Sequence, residues 1–232
     1  MNVRGVVFDY GGVLARWPVP SDFWPVAKEI GLTWKMYQEG FAKYRRAYDG
    51  GEISCREMYA KILADNSIVA NEEQLIRLVR ADDESWTHPI PETLVWMKEL
   101  KLSGFRIGIL TNMEAGYFKN WFLRFFAEPV ALADALVVSG IEGVTKPDPA
   151  IYRLMEQRLG LAPQELVFMD DMPGNVVAAK ALGWSAFRFT SCEAARVELE
   201  RIVSDHAPSQ MDFRDTIHQG SADGRRSSCS LR

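Results

Sequence analysis

An α/β fold built on a parallel, doubly wound sheet is predicted by three features of the sequence. Five runs, VRGVVF, FRIGIL, DALVV, ELVFM and SAFRF, have strand length and are apolar through their length, as strands covered on both faces are. Segments of helical periodicity separate most of them. The first two runs stand too far apart for one crossover helix, so an extra unit is inserted between them.

The first run carries Val6, Val7 and Phe8 and stops at Asp9, followed by Gly11 and Gly12. Residues 16–88 lack strong strand signals and look helical throughout; their insertion point predicts a small helical cap over the end of strand one. Within it, Ser54 and Glu57 form a capping box just after the turn DGGEI. Trp17, Trp24, Trp34 and Trp86 are expected to build the cap interior, and Tyr10 to pack away from Asp9. FRIGIL ends in Thr111 and Asn112, two candidates for capping the next helix. Tyr117, Phe118, Trp121, Phe122, Phe125 and Phe126 recur at helical spacing and predict a stripe facing the core or another subunit. DPAIYRLMEQRLG opens on Asp-Pro and closes at Gly160, a helix start and stop. ELVFM ends in Asp170 and Asp171, with Asn175 beyond. The expected organisation is a core from 1–15 and 89–205, a cap from 16–88 and a mobile polar tail from 206–232.

The chain has 232 residues, 47% of them hydrophobic, enough for a sizeable core, and its formal charge of −4 offers no basic field for nucleic acid. No apolar stretch is long enough for a membrane span and no leader is evident. Cys55, Cys192 and Cys229 are scattered and odd in number, which suggests reduced thiols and a cytoplasmic protein. His88, His206 and His218 are scattered as well, so a histidine-rich metal site is not expected; His88 has a structural place at a hinge.

Ligands of open parallel sheets gather beyond the carboxyl ends of the strands. Those ends offer Asp9, then Thr111 with Asn112, then Lys146 before Pro147, then Asp170 with Asp171 and Asn175. Three carboxylates in one cleft repel one another unless a cation sits among them, and a phosphate dianion would deepen the problem. A magnesium ion on oxygen ligands, with Lys146 as a second positive charge, resolves it. Each motif is common alone; the ordered set is specific.

The motifs FDYGGVL, LTN, TKPDPAIY and VFMDD…N resemble those of haloacid dehalogenase superfamily hydrolases over about residues 1–205. They are most similar to the phosphatase branch that contains the soluble epoxide hydrolase N-terminal domain and bacterial glucose-1-phosphate phosphatase. The resemblance implies a Rossmann-like core with a C1-type cap, and a phosphatase acting on small-molecule phosphate esters. It implies that Asp9 is the nucleophile forming an aspartyl-phosphate, and that Asp9, the Gly11 carbonyl and Asp171 bind magnesium, with Asp170 acting through water. Thr111, Asn112 and Lys146 would bind the phosphoryl group, Lys146 also orienting Asp9, and Asn175 would support the acidic loop. The cap loop around Asp49 and Glu52 would touch substrate.

Gly11 departs from the pattern. Most phosphatases of the superfamily place an aspartate there as general acid, a contribution of roughly 10²–10⁴-fold. Two other functions fit the vacancy. One is 2-haloacid dehalogenation, in which halide leaves unprotonated; the acidic pair at 170 and 171 argues against it. The other is a non-catalytic binding domain, against which stands the full set of remaining reactive residues.

Overall fold

Among the described residues, the five apolar runs pair as one parallel sheet: β1 (Gly5–Phe8), β2 (Arg106–Thr111), β3 (Ala135–Val138), β4 (Leu166–Asp170) and β5 (Ser185–Arg188), in the order β3-β2-β1-β4-β5. The structure, a computed structural model, describes residues 2–206, so the tail expected from 206 onward lies, His206 apart, outside the described residues. Phe8 stands level with Ile109 of β2 on one side and Met169 of β4 on the other. The strand order changes direction between β1 and β4. That switch point opens a crevice where the ends of both strands supply an acid.

Helices α1 (Pro20–Glu29), α2 (Trp34–Asp49), α3 (Cys55–Asp65), α4 (Glu72–Ser85) and α5 (Pro91–Leu102) separate β1 from β2. Between β2 and β3 run α6 (Ala115–Tyr117), a π-helical turn (Phe118–Phe122), α7 (Leu123–Phe125) and α8 (Ala127–Leu132). Then come α9 (Ser139–Glu142), α10 (Pro149–Leu159), α11 (Pro173–Ala181) and α12 (Cys192–His206). The helix read from DPAIYRLMEQRLG is α10. Asp148 caps it by accepting from the Ala150 amide, and Gly160 ends it in a left-handed conformation.

Side chains alternate along β1. Val6 and Phe8 pack with Trp96 and Met97 of α5 and Leu199 of α12, whereas Val7 joins Tyr152 and Met155 of α10 on the other face. Helices α1–α4 build a third apolar cluster, around Met58, Tyr59, Ile62 and Leu78, all fully buried. Ser54 and Glu57 form the expected capping box at the start of α3. The chain leaves and re-enters the sheet layer side by side: Ile90 N donates to Leu14 O at 2.9 Å, Arg16 N donates to His88 O at 3.0 Å, and Ala15 bridges Pro89.

The aromatic stripe is not one regular helix. Tyr117 and Phe122 are five residues apart, and the π-turn absorbs the extra residue so that Tyr117, Phe122 and Phe126 all stay buried. Leu123 and Phe125 face outward, 40% and 46% exposed.

Candidate active site

Asp9 follows β1 directly, held by its own amide donating to Met169 O at 3.0 Å. Lys146 comes from the loop between α9 and α10, and almost all of its side chain is buried. Its ammonium lies 2.7 Å from Asp9 Oδ1, 2.6 Å from Asp170 Oδ2 and 3.0 Å from Leu110 O, which matches its three donors. A substrate oxygen at Lys146 must therefore share or replace one of these partners. Asn112 does not cap a helix. Its side chain clamps the Lys146 backbone, accepting from Lys146 N at 2.7 Å and donating to Lys146 O at 3.0 Å, which leaves one amide N–H unused. The helix after β2 is capped instead by Glu114, which accepts from the Tyr117 amide. Thr111 is buried at the end of β2.

Both oxygens of Asp170 are engaged by protein donors. Oδ1 accepts from Met172 N at 2.8 Å, Oδ2 accepts from Lys146, and Asn175 Nδ2 lies 3.0 Å from each oxygen. Asp171 differs. Trp17 Nε1 donates to its Oδ2 at 2.8 Å, while its Oδ1 is buried without a protein partner. Carboxylate oxygens of Asp9, Asp170 and Asp171 lie within 4.8 Å of one another, a spacing able to hold a metal ion.

The electrostatics are unbalanced. Burial first, and then the Asp170 charge, push Asp9 up to about 8, against the pull of Lys146. Burial opposes the charge on Lys146, yet Asp170 and Asp9 outweigh it and hold Lys146 above its ordinary value. Burial also raises Asp171, with the Trp17 hydrogen bond working against it. One ammonium shared by two carboxylates leaves a nucleophile that is only partly ionised near neutral pH. A hard cation on these oxygens would correct this.

Above the acids opens a cleft of about 550 Å³, its mouth included. Phe41, Tyr48, Trp86, Met113 and Tyr117 give it apolar walls; Arg45 and Asp49 of α2 supply charge from the inserted helices, and Glu114 from the segment after β2. Two expectations change here. Trp17 and Trp86 are not interior to the helical insert: they sit on its connections to the sheet, rings 5.0 Å apart, with Trp17 on Asp171 and Trp86 beside Gly11. Trp34 does pack within α1–α4. Tyr10 is packed, as expected, against Phe122 and Phe126, but it also borders the cleft and bonds Tyr117 by its hydroxyl.

Of the two glycines, only Gly12 needs to be glycine for its backbone. Its φ is 77°, and a Cβ there would come within 2.8 Å of Asp171 Cγ. Gly11 lies outside the left-handed region, and a Cβ there would stand 3.2 Å from the Trp86 ring. Asp49 lies on the cleft wall, whereas Glu52 is exposed and is not part of it. Arg45, Trp17 and Trp86 carry no motif or spacing that marks them in the sequence.

Residues 3–183 match the haloacid dehalogenase-like hydrolase family. A sesquiterpene phosphatase, astK of Aspergillus oryzae, is 27% identical over 86% of this chain and 96% of its own length. Acyl-CoA dehydrogenase family member 10 of Mus musculus is 31% identical over 87% of this chain but only 19% of its own length. Phosphatase MT3486 of Mycobacterium tuberculosis is 28% identical over 81% of this chain and 87% of its own. Among solved structures, a haloacid dehalogenase family enzyme of Bacteroides thetaiotaomicron, complexed with magnesium and inorganic phosphate, superposes with a TM-score of 0.62 at 19% identity. The match covers 81% of this chain and 94% of that one.

Proposed function

This chain belongs to the haloacid dehalogenase-like hydrolases, and from that premise we propose a magnesium-dependent phosphatase acting on a small, largely apolar phosphate monoester through an aspartyl-phosphate on Asp9. The observation that carries it is the unpartnered, buried Oδ1 of Asp171 beside Asp9 and Asp170. A cation would take up that free acceptor, and all the site's ligands are hard oxygens suited to magnesium.

Asp9, the Gly11 carbonyl and Asp171 would hold the ion, and its charge would offset the phosphate dianion when bound. Lys146 favours the ionised form of Asp9 and aims it, and the cation would complete its ionisation. Asp170 serves the site chiefly by fixing Lys146, and Asn175 fixes Asp170 in turn. Thr111 and the free N–H of Asn112 are the donors for phosphoryl oxygens. Helices α1–α4, within residues 16–88, form the cap that closes the cleft and selects substrate. The aromatic walls favour an apolar alcohol portion, in keeping with the sesquiterpene phosphatase among the relatives.

The test is phosphate release from a panel of aryl, prenyl and sugar phosphates with magnesium, and again with EDTA. Turnover should need the metal and vanish in Asp9→Asn at unchanged thermal stability. A second function, 2-haloacid dehalogenation, is favoured by Gly11 and by likeness to haloacetate dehalogenase H-2 of Moraxella, 24% identical over 68% of this chain. Chloride release from a 2-haloacid in EDTA, without phosphatase turnover, would decide for it.

A further inference from the structure

We propose that Asp49, at the C-terminal end of α2, is the proton donor to the leaving oxygen and stands in for the acid that Gly11 cannot supply. This rests on the phosphatase assignment above. The argument begins from the vacancy. Gly11 and Asp9 border the same cleft, so a departing oxygen on a phosphorus attacked by Asp9 faces that space and not the sheet. Of the other oxygen acids around the cleft, Tyr10, Tyr117 and Glu114 have protein partners, and burial holds the Tyr48 hydroxyl well above its ordinary pKa, a poor proton donor. Tyr10 donates its hydroxyl to Trp86 O, and Tyr117 lies 2.9 Å from the Tyr10 oxygen. Glu114 accepts from the Tyr117 amide as a helix cap. Asp49 is 6% exposed and lines the cleft from above, so the phosphate would lie between it and Asp9.

Its placement is built. Ser139 at the end of β3 donates its hydroxyl to the Asp49 backbone oxygen, tying the end of α2 to the sheet layer. A Cβ on Gly51 would lie 3.0 Å from Gly140 O, so the turn after Asp49 seats directly on the same segment. Arg45 Nε donates to Asp49 Oδ2 at 3.0 Å and is itself stacked over the Trp17 ring, which fixes the carboxyl while leaving Oδ1 for substrate. The charges facing Asp49 are Arg45 on its own helix and, across the cleft, Lys146, Asp9 and Glu114. Burial raises its pKa to about 6, with Arg45 and Lys146 opposing. A bound phosphate dianion would push it further toward the protonated form that a general acid needs.

The step balances. A carboxylate oxygen of Asp9 bonds to phosphorus, the ester P–O bond breaks, and the Asp49 proton goes to the departing oxygen to give a neutral alcohol. Asp49, now ionised, takes a proton from the water that attacks the aspartyl-phosphate, releasing phosphate and restoring both groups.

The experiment measures single-turnover rates of alcohol release, the step before the common aspartyl-phosphate is hydrolysed, for aryl and alkyl phosphates that span a range of leaving-group acidity. Wild-type rates should vary little across the series. In Asp49→Asn the alkyl phosphates should slow by roughly 10²–10⁴-fold while 4-nitrophenyl phosphate slows less than about tenfold. The basic limb of the wild-type pH–rate profile should also disappear. A steep wild-type dependence overturns the proposal without any variant, as does an Asp49→Asn loss equal for all esters at intact thermal stability. Absence of turnover of every ester by wild type would instead sink the phosphatase assignment itself.

Discussion

Asp170 and Asp171 are neighbours with opposite burdens. Asp170 is fully buried and bonded to Lys146, Asn175 and the Met172 amide, so Asp170→Asn takes one of two carboxylates from a buried ammonium and leaves it Asp9 and Leu110 O. Breaking such a pair from one side costs about 3–5 kcal/mol, and urea unfolding should show a loss near the low end because the amide keeps one acceptor. Asp171→Asn should leave unfolding closer to wild type yet abolish the magnesium response. Asp82, inside the α1–α4 cluster, faces no cation among the described residues; the Tyr37 hydroxyl and Cys55 thiol donate to it at 3.5 and 3.7 Å, and the Tyr59 hydroxyl nearby also favours its charge. Burial raises it to about 6, from an ordinary value of 3.8. A carboxyl raised on folding stabilises fully below its unfolded pKa and loses that contribution as pH rises through the folded one. Between pH 4 and 7 Asp82 should therefore remove about 2 kcal/mol of stability. Chemical denaturation of Asp82→Asn at several pH values should show a variant that gains on wild type as pH rises. That Asp9, Asp170 and Asp171 come together was legible in the sequence because the end of a parallel strand is a local property; Lys146 and Asn175 were marked by the loops and helices that follow such ends. Arg45, Trp17 and Trp86 were not, since their place depends on how the inserted helices dock.

Among elements, the apolar runs of all five strands announced themselves by length and by the absence of alternation. The helical run after β2 did not, because aromatic spacing alone does not tell an α-turn from a π-turn. The difference has a structural result: the extra residue lets Phe122 and Phe126 both pack edge-on against Tyr10, at ring distances of 5.1 and 4.9 Å. Phe122 is fully buried, so Phe122→Ala should cost about 3–5 kcal/mol in equilibrium unfolding. Phe125→Ala, on the outward face, should cost far less. Equal losses would mean that the π-turn does not set which aromatic faces inward. Asn112 carries the same lesson on a smaller scale. Its type and place suggested a phosphate ligand or a cap, and only the folded loop reveals a clamp on Lys146.

For the molecule as a whole, helices α1–α4 have their own apolar interior and join the sheet layer through two adjacent connections. Such an insert, and its place over the end of strand one, were foreseeable from the gap between the first two apolar runs; which of its side chains reach the acids was not. Among the described residues no helix is long and apolar enough to cross a membrane. The first of the connections carries Trp17, whose indole N–H rests on Asp171 Oδ2 while its ring leans on Trp86 and under the Arg45 guanidinium. An indole bonded to a carboxylate and flanked by a second indole is an optical probe set in place by the fold. Loading of Asp171 by magnesium draws charge away from that hydrogen bond. Titration with the metal, with no substrate present, should change the tryptophan emission of the wild-type protein, and the change should be absent in Trp17→Phe. The fluorescence of this one side chain would then report occupancy of the acidic site and the posture of the inserted helices in a single signal.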